Sequence, residues 1–152
     1  MLWQMFSTLL ERSLHFLVNP FPRKRIEHWT SNINYEKALP ILAIVEEAGN
    51  PRAVGVASLE FHNTAAERNK AEFGITVHDS YQNKGLGTAL TQHMLGIAHK
   101  KKLRKVTLNV LTTNKRAICM YEKCGFKIEA KLRKECFIKG RYYDDYVMSI
   151  FL

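Results

Sequence analysis

The stretch that most constrains this chain is Gln82-Asn83-Lys84-Gly85-Leu86-Gly87. It follows an apolar run, Ala71 to Val77, whose composition predicts a strand. It precedes Thr88 to Lys101, where Leu90, Met94 and Ile97 recur at helical spacing. A strand that turns through glycines directly into a helix belongs to an α/β or α+β domain with a helix-covered sheet. The free N–H groups and dipole of a helix N-terminus favour phosphate. Gly85 and Gly87 let a ligand approach the backbone closely, and Lys84 adds a cation. A pyrophosphate fits such a turn, although the residues alone leave a plain turn open. The turn is not a P-loop, because no G-K-[ST] follows at the required spacing. Nor is it the dinucleotide fingerprint, since the third glycine position is missing.

The rest of the chain reads as a sequence of short elements. Leu2, Phe6, Leu9, Leu10, Leu14 and Leu17 form one apolar stripe, which predicts a helix from Leu2 to Leu17, ended by Pro20 to Pro22. A short helix is expected at Arg25 to Thr30. Ile41 to Val45 and Ala53 to Phe61 read as a hairpin turned by Gly49 to Arg52. Asn63 to Asn69 reads as a loop. Val106 to Val110 is a strand, and Lys115 to Lys123 a helix closed by Gly125. Phe126 to Ala130, Glu135 to Lys139 and Tyr146 to Phe151 complete the expected strands. No linker divides residues 1–152, so one domain is expected.

Charge and cysteine usage narrow the function. The formal net charge is +9, which attracts acidic or phosphorylated partners without selecting among them. The basic run His99 to Lys105 also suits a solvated helix end. Cys119, Cys124 and Cys136 form no C-x-x-C pair, which disfavours a zinc site or a disulfide framework and suits reduced thiols in the cytoplasm. Met1 to Phe16 lacks a basic n-region and a small-residue cleavage site, so no signal peptide is expected. It is also too short to span a bilayer.

The context of the turn adds a resemblance. Gln82-x-x-Gly85-x-Gly87 resembles the Q/R-x-x-G-x-G/A motif of the GNAT N-acetyltransferases. The run from Asn114 through Ala117 and Tyr121 to Gly125-Phe126 is similar to that family's N-x-x-A-x-x-x-Y-x-x-x-G-F. Gly140-x-x-x-Asp144-x-x-x-Met148 looks like the tail of its small-molecule amine, amino-acid and ribosomal-protein branches. The resemblance covers roughly Ile41 to the C-terminus. It implies a mixed, mostly antiparallel sheet flanked by helices, with acetyl-CoA as acetyl donor and no metal. The family opens on a strand that is not found here, so either the sheet lacks that edge or the native start lies upstream.

The implied reaction is direct acetyl transfer from a thioester to an amine. An alkylammonium with a pKa near ~10.4 must lose a proton before it attacks, which calls for a base. The resemblance places Ile75, Thr76 and Val77 along the pantetheine and acyl group, with the Val77 N–H as oxyanion donor. It places Gln82, Asn83, Lys84, Gly85, Leu86, Gly87 and Thr88 on the pyrophosphate, and Asn114 and Ala117 on the cofactor. Tyr121 is the expected general acid, though its spacing also fits a core aromatic. Glu72 is the candidate base, or else a solvent-facing strand residue. Glu60, His62 and His78 are further base candidates. Asp144 could contact the amine or order the last loops. Asn109 stands where acetyltransferases of the ribosomal alanine type carry a glutamate.

The leading expectation is an enzyme acetylating a primary amine of a small molecule or amino acid. A protein N-terminal or lysine acetyltransferase, with a peptide acceptor, is the alternative. A basic nucleic-acid-binding module without catalysis is a third reading, against which no base-reading motif appears. A GNAT fold that only senses CoA is a fourth. No membrane partner is expected, and a homodimer through late strands is what many relatives would imply.

Overall fold

A computed structural model describes residues 1–17, 22–62 and 64–152. Three helices come first: α1 Leu2–Ser7, α2 Glu11–Phe16 and α3 Arg23–Ser31. Then follow β1 Ala38–Glu47, β2 Asn50–His62 and β3 Lys70–Val77, a single 3-10 turn at Asp79–Tyr81, and α4 Leu86–Lys100. β4 Lys105–Leu111, α5 Lys115–Lys123, β5 Lys127–Ile138 and β6 Arg141–Phe151 complete the chain. The six strands form one sheet in the order β1-β2-β3-β4-β6-β5.

Every neighbouring pair is antiparallel except β3 with β4. Parallel neighbours need a crossover connection, and α4 supplies it. The parallel pairing is short: Lys70, Ala71 and Glu72 lie opposite Lys105, Val106 and Thr107, and there it stops. β3 nevertheless stays paired with β2 as far as Val77, and β4 stays paired with β6 as far as Leu111. The sheet therefore divides into two wings that part beyond Glu72 and Thr107.

Each face of the sheet carries its own core. Alternate strand residues point to opposite faces. On one face Leu59, Phe73, Leu108 and Met148 pack with Leu90 and Met94 of α4 and with Ile118 and Tyr121 of α5. On the other, Ala53 and Val56 pack with Leu2, Met5, Phe6, Leu9 and Ile26 of the first helices and the segment between them. Met5, Leu59 and Met94 are wholly buried. Burying a side chain of that size stabilises by about 1.5–3 kcal/mol.

Several expected elements take a different form. The helix foreseen from Leu2 to Leu17 is two helices, because the chain leaves the helical path at Thr8. The Thr8 hydroxyl donates to the carbonyl of Gln4 at 2.8 Å, closing α1. The strands foreseen at Phe126 to Ala130 and Glu135 to Lys139 are one strand, β5, irregular between Ile128 and Ala130 and again between Leu132 and Cys136. Lys134, with φ 54°, sits in the second irregularity. β6 begins at Arg141, five residues before the expected Tyr146. Among the described residues the first strand is β1, so the sheet starts at that edge. The break expected at Pro20 and the start of the loop expected at Asn63 lie outside the described residues.

Candidate acyl-transfer site

The gap between the wings is lined by backbone. The His78 N–H donates to the Val54 carbonyl at 2.9 Å. In an antiparallel ladder hydrogen-bonded and non-bonded pairs alternate. Thr76 and Gly74 therefore bond to β2, while the N–H and C=O groups of Phe73, Ile75 and Val77 face the other way, toward β4. Beyond Glu72 that side has no strand partner among the described residues. The Val77 carbonyl is taken by the side chain of Gln82, whose Nε2 donates to it at 2.8 Å. The Val77 N–H and both polar groups of Ile75 remain directed into the gap.

The glycine turn lies at the open end of β3. Asn83 and Gly85 both have positive φ, 58° and 82°. Left-handed residues of this kind turn successive N–H groups into a concave cradle for an anion. Gly85 is the N-cap of α4, no side chain caps that helix, and its first turn holds no acid. The first intrahelical bond is Ala89 N–H to the Gly85 carbonyl, 2.9 Å. The N–H groups of Leu86, Gly87 and Thr88 thus point out of the helix end without internal partners. A Cβ on Gly87 would lie 3.9 Å from both Met120 Cε and Val77 Cγ2, ordinary contact, so α4 meets α5 and β3 at this residue with room for a methyl group. The Lys84 ammonium sits 5.3 Å from the Tyr81 ring, at the rim. The cradle fits a pyrophosphate, and the gap beside it fits an extended chain leading from that group.

α5 closes the gap from the β4 side. Asn114 caps it, its side-chain oxygen accepting from the Ala117 N–H at 3.3 Å. Tyr121, two turns along, is buried edge-on between Phe73 and Phe126, with ring centroids 6.3 and 5.8 Å away. Burial, and secondarily the neighbouring Cys124, pushes its phenol well above the ordinary tyrosine value. The hydroxyl therefore stays protonated and available as a donor.

Glu72 is not brought to Tyr121. It is exposed, in the last row where β3 and β4 are still paired, on the face opposite Phe73 and Tyr121. Asp144 is also committed elsewhere. It accepts from the Lys134 N–H at 2.8 Å and pairs with Lys131 at 3.1 Å, which orders the irregular part of β5.

The sequence reading missed α2 as part of the site. Asp79, just past β3, accepts from the Leu10 N–H at 2.8 Å and the Ser13 hydroxyl at 2.6 Å. Arg12 approaches the same carboxylate at 3.4 Å. Burial alone would raise the pKa of Asp79, but the bonds from Ser13, Leu10 and Arg12 outweigh it and hold it below the usual value. Ser13 also accepts from Gln82 Nε2 at 3.2 Å, and the Thr8 hydroxyl lies 3.1 Å from His78 Nε2. On the other wing, Lys139 pairs with Glu11, and the His15 ring meets Tyr143 edge-on at 5.1 Å. α2 is thus tied to both wings and roofs the face opposite α4 and α5. No signal within the first helix could show this, because its partners lie on distant parts of the chain.

A split sheet with a helix N-terminus uncapped at one rim defines an α/β protein whose central gap lies between two parallel strands. Residues 3–126 match the model of the acetyltransferase (GNAT) family, and the chain belongs to that family. It is 30% identical over 97 residues to the L-amino acid N-acetyltransferase AaaT of Escherichia coli strain K12, an alignment covering 63% of this chain and 60% of that protein. It is 39% identical over 75 residues to the spermidine N(1)-acetyltransferase of Vibrio cholerae serotype O1, covering 49% of this chain and 43% of that one. The chain thus aligns with about half the length of the curated relatives it matches. Among solved structures it resembles spermidine N-acetyltransferase from Vibrio cholerae in complex with CoA and spermine, with a TM-score of 0.82 and 25% identity over 99% of this chain and 87% of that one. The relatives agree with the expected family and with the mostly antiparallel, helix-flanked sheet. No helix among the described residues is long and apolar enough to cross a membrane.

Proposed function

We propose that this chain transfers the acetyl group of acetyl-CoA to a primary amine of a small molecule. The observation that carries the reading is the parting of β3 and β4 beside the uncapped N-terminus of α4. It joins an anion cradle to a gap lined by unpaired backbone N–H groups. The backbone from Gln82 to Thr88 would hold the pyrophosphate, and Ile75 and Val77 the arm leading from it. Acetyl-CoA supplies an activated acyl carbon and a thiolate leaving group.

The residues of the chain supply the rest. The Val77 N–H stabilises the negative charge that develops on the acyl oxygen during attack. Tyr121 delivers a proton, or a strong hydrogen bond, to the departing sulfur. Its core position disfavours a free phenolate, so the proton must be replaced as the amide forms. Asn114 sets the start of α5 and so the approach of Tyr121. The amine enters from the α2 face and meets the acyl group through the gap.

A small acceptor is favoured over a peptide by α2, which is fastened to Asp79 on one wing and to Lys139 and Tyr143 on the other. An extended peptide would have to displace it. The amine-acetylating relatives point the same way. The test is thiol release from acetyl-CoA in the presence of a panel of primary amines, amino acids and short peptides. Turnover with small amines supports the reading, and turnover confined to peptides contradicts it.

A further inference from the structure

Asp145 is 5% exposed, among the few buried charged groups of the described residues. It lies in β6 directly opposite Leu111 of β4, in the last row before that pairing ends. Asn109 lies two residues back along β4 on the same face, and it is exposed. The Asn109 side-chain amide acts to hold the Asp145 pKa down. This is the α2 face of the sheet, one strand over from the gap. Despite the net charge of +9, no lysine, arginine or histidine among the described residues forms an ion pair with Asp145. Its neighbour Asp144, pointing to the other face, takes Lys131 instead.

A buried carboxylate without a counter-cation is costly. Such groups concentrate where a charged ligand completes them. We infer that Asp145 is the acceptor-side base: it holds the alkylammonium of the incoming amine at the mouth of the gap and takes its first proton. The inference rests on the acetyltransferase reading above. In the balanced step the nitrogen loses one proton to the Asp145 carboxylate, which passes it to water on the open side by Asn109. The nitrogen then forms a bond to the acyl carbon, and the carbon–sulfur bond breaks. The second nitrogen proton replaces the one Tyr121 gives to sulfur. The products are an amide and a thiol.

The surroundings suit this task. Burial, and then the nearby Glu135, raises the Asp145 pKa, against the opposing Asn109 amide. Cys136 of β5, itself raised by burial and by Asp145 and Glu135, faces the same carboxylate. Tyr143 lies on the same face of β6 two residues away, and His15 of α2 stands against it. Glu72 is the acid of that face on β3. A carboxyl lifted toward neutrality is a stronger base than an ordinary aspartate.

The test uses the full chain, acetyl-CoA and 1-aminobutane, with kcat/KM measured from pH 5 to 10. Asp145→Asn is expected to lose 10²–10⁴-fold at pH 7, the usual span for a general base. It should recover much of this near pH 10, where free amine is abundant, while calorimetry shows acetyl-CoA affinity within twofold of the parent. Asn109→Leu, at an exposed position, serves if Asp145→Asn does not fold. Removing its amide should move the acid limb of the profile to higher pH. Full activity with an unchanged limb in a folded Asp145→Asn, or an unmoved limb in Asn109→Leu, overturns the assignment and leaves the acetyltransferase reading intact. Failure of the parent chain to bind acetyl-CoA overturns both.

Discussion

Ser13 and Asp79 lie 66 residues apart in sequence, and the hydroxyl of one donates to the carboxylate of the other at 2.6 Å. With the Leu10 N–H on its second oxygen, Asp79 does for α2 what a local capping residue does for most helices. The same carboxylate lies at the end of β3, two residues beyond Val77. The α2 roof and the strand that lines the gap are therefore fixed by one group.

Replacing Asp79 should loosen that roof. Asp79→Ala is expected to cost about 1–2 kcal/mol, the range for a lost cap with two charge-assisted bonds. Urea unfolding at pH 7 would measure it. The folded pKa of Asp79 lies below its unfolded value. Its contribution is therefore complete above about pH 4 and disappears as pH falls through the lower folded value. The gap in stability between parent and variant should narrow at pH 2–3; a constant gap would show that the carboxylate charge is not what matters.

Tyr121→Phe separates packing from chemistry. The ring contacts with Phe73 and Phe126 survive the change, so thermal stability should move by less than about 1 kcal/mol. Acetyl transfer should fall by roughly 10²–10⁴-fold, the contribution typical of a positioned proton donor. Equal activity in the two proteins would return Tyr121 to the role of a core aromatic.

The two glycines of the turn should respond in opposite ways. Gly85 has φ 82° with open space around it, whereas Gly87 lies inside the first turn of α4 with ordinary contact distances. Gly85→Ala is expected to destabilise by about 1–2 kcal/mol through left-handed strain. Gly87→Ala should stabilise by about 0.4–1 kcal/mol by restricting the unfolded chain. Melting temperatures of the pair decide whether conformation or space governs each position.

Much of the candidate site was legible because it is local. Val77, the turn to Thr88 and the Asn114 to Phe126 stretch are each runs of consecutive residues, and α5 forms over the expected Lys115 to Lys123. What escaped depends on distant partners. Thr8 to Leu10 reads as continuous helix because its stripe is unbroken, and only Asp79 gives Leu10 a reason to leave it. The parting of β3 and β4 lies in pairing, not in either strand. Asp144 drew attention through its motif position, yet a one-residue alternation puts Asp145 on the α2 face of the sheet. Lys131 to Lys134 separates the two expected strands, yet Asp144 accepts from the Lys134 N–H and pairs with Lys131, which holds that stretch in the sheet.

The central claim is that the Gln82 to Thr88 turn holds the pyrophosphate of acetyl-CoA. Calorimetric titration of the chain and of Gly85→Glu with acetyl-CoA tests it most directly. The account predicts saturable binding to the parent and none to the variant, whose new carboxylate would meet the phosphates at the helix end. Circular dichroism must show the variant folded. Equal binding to both proteins, or none to a folded parent, would contradict the account.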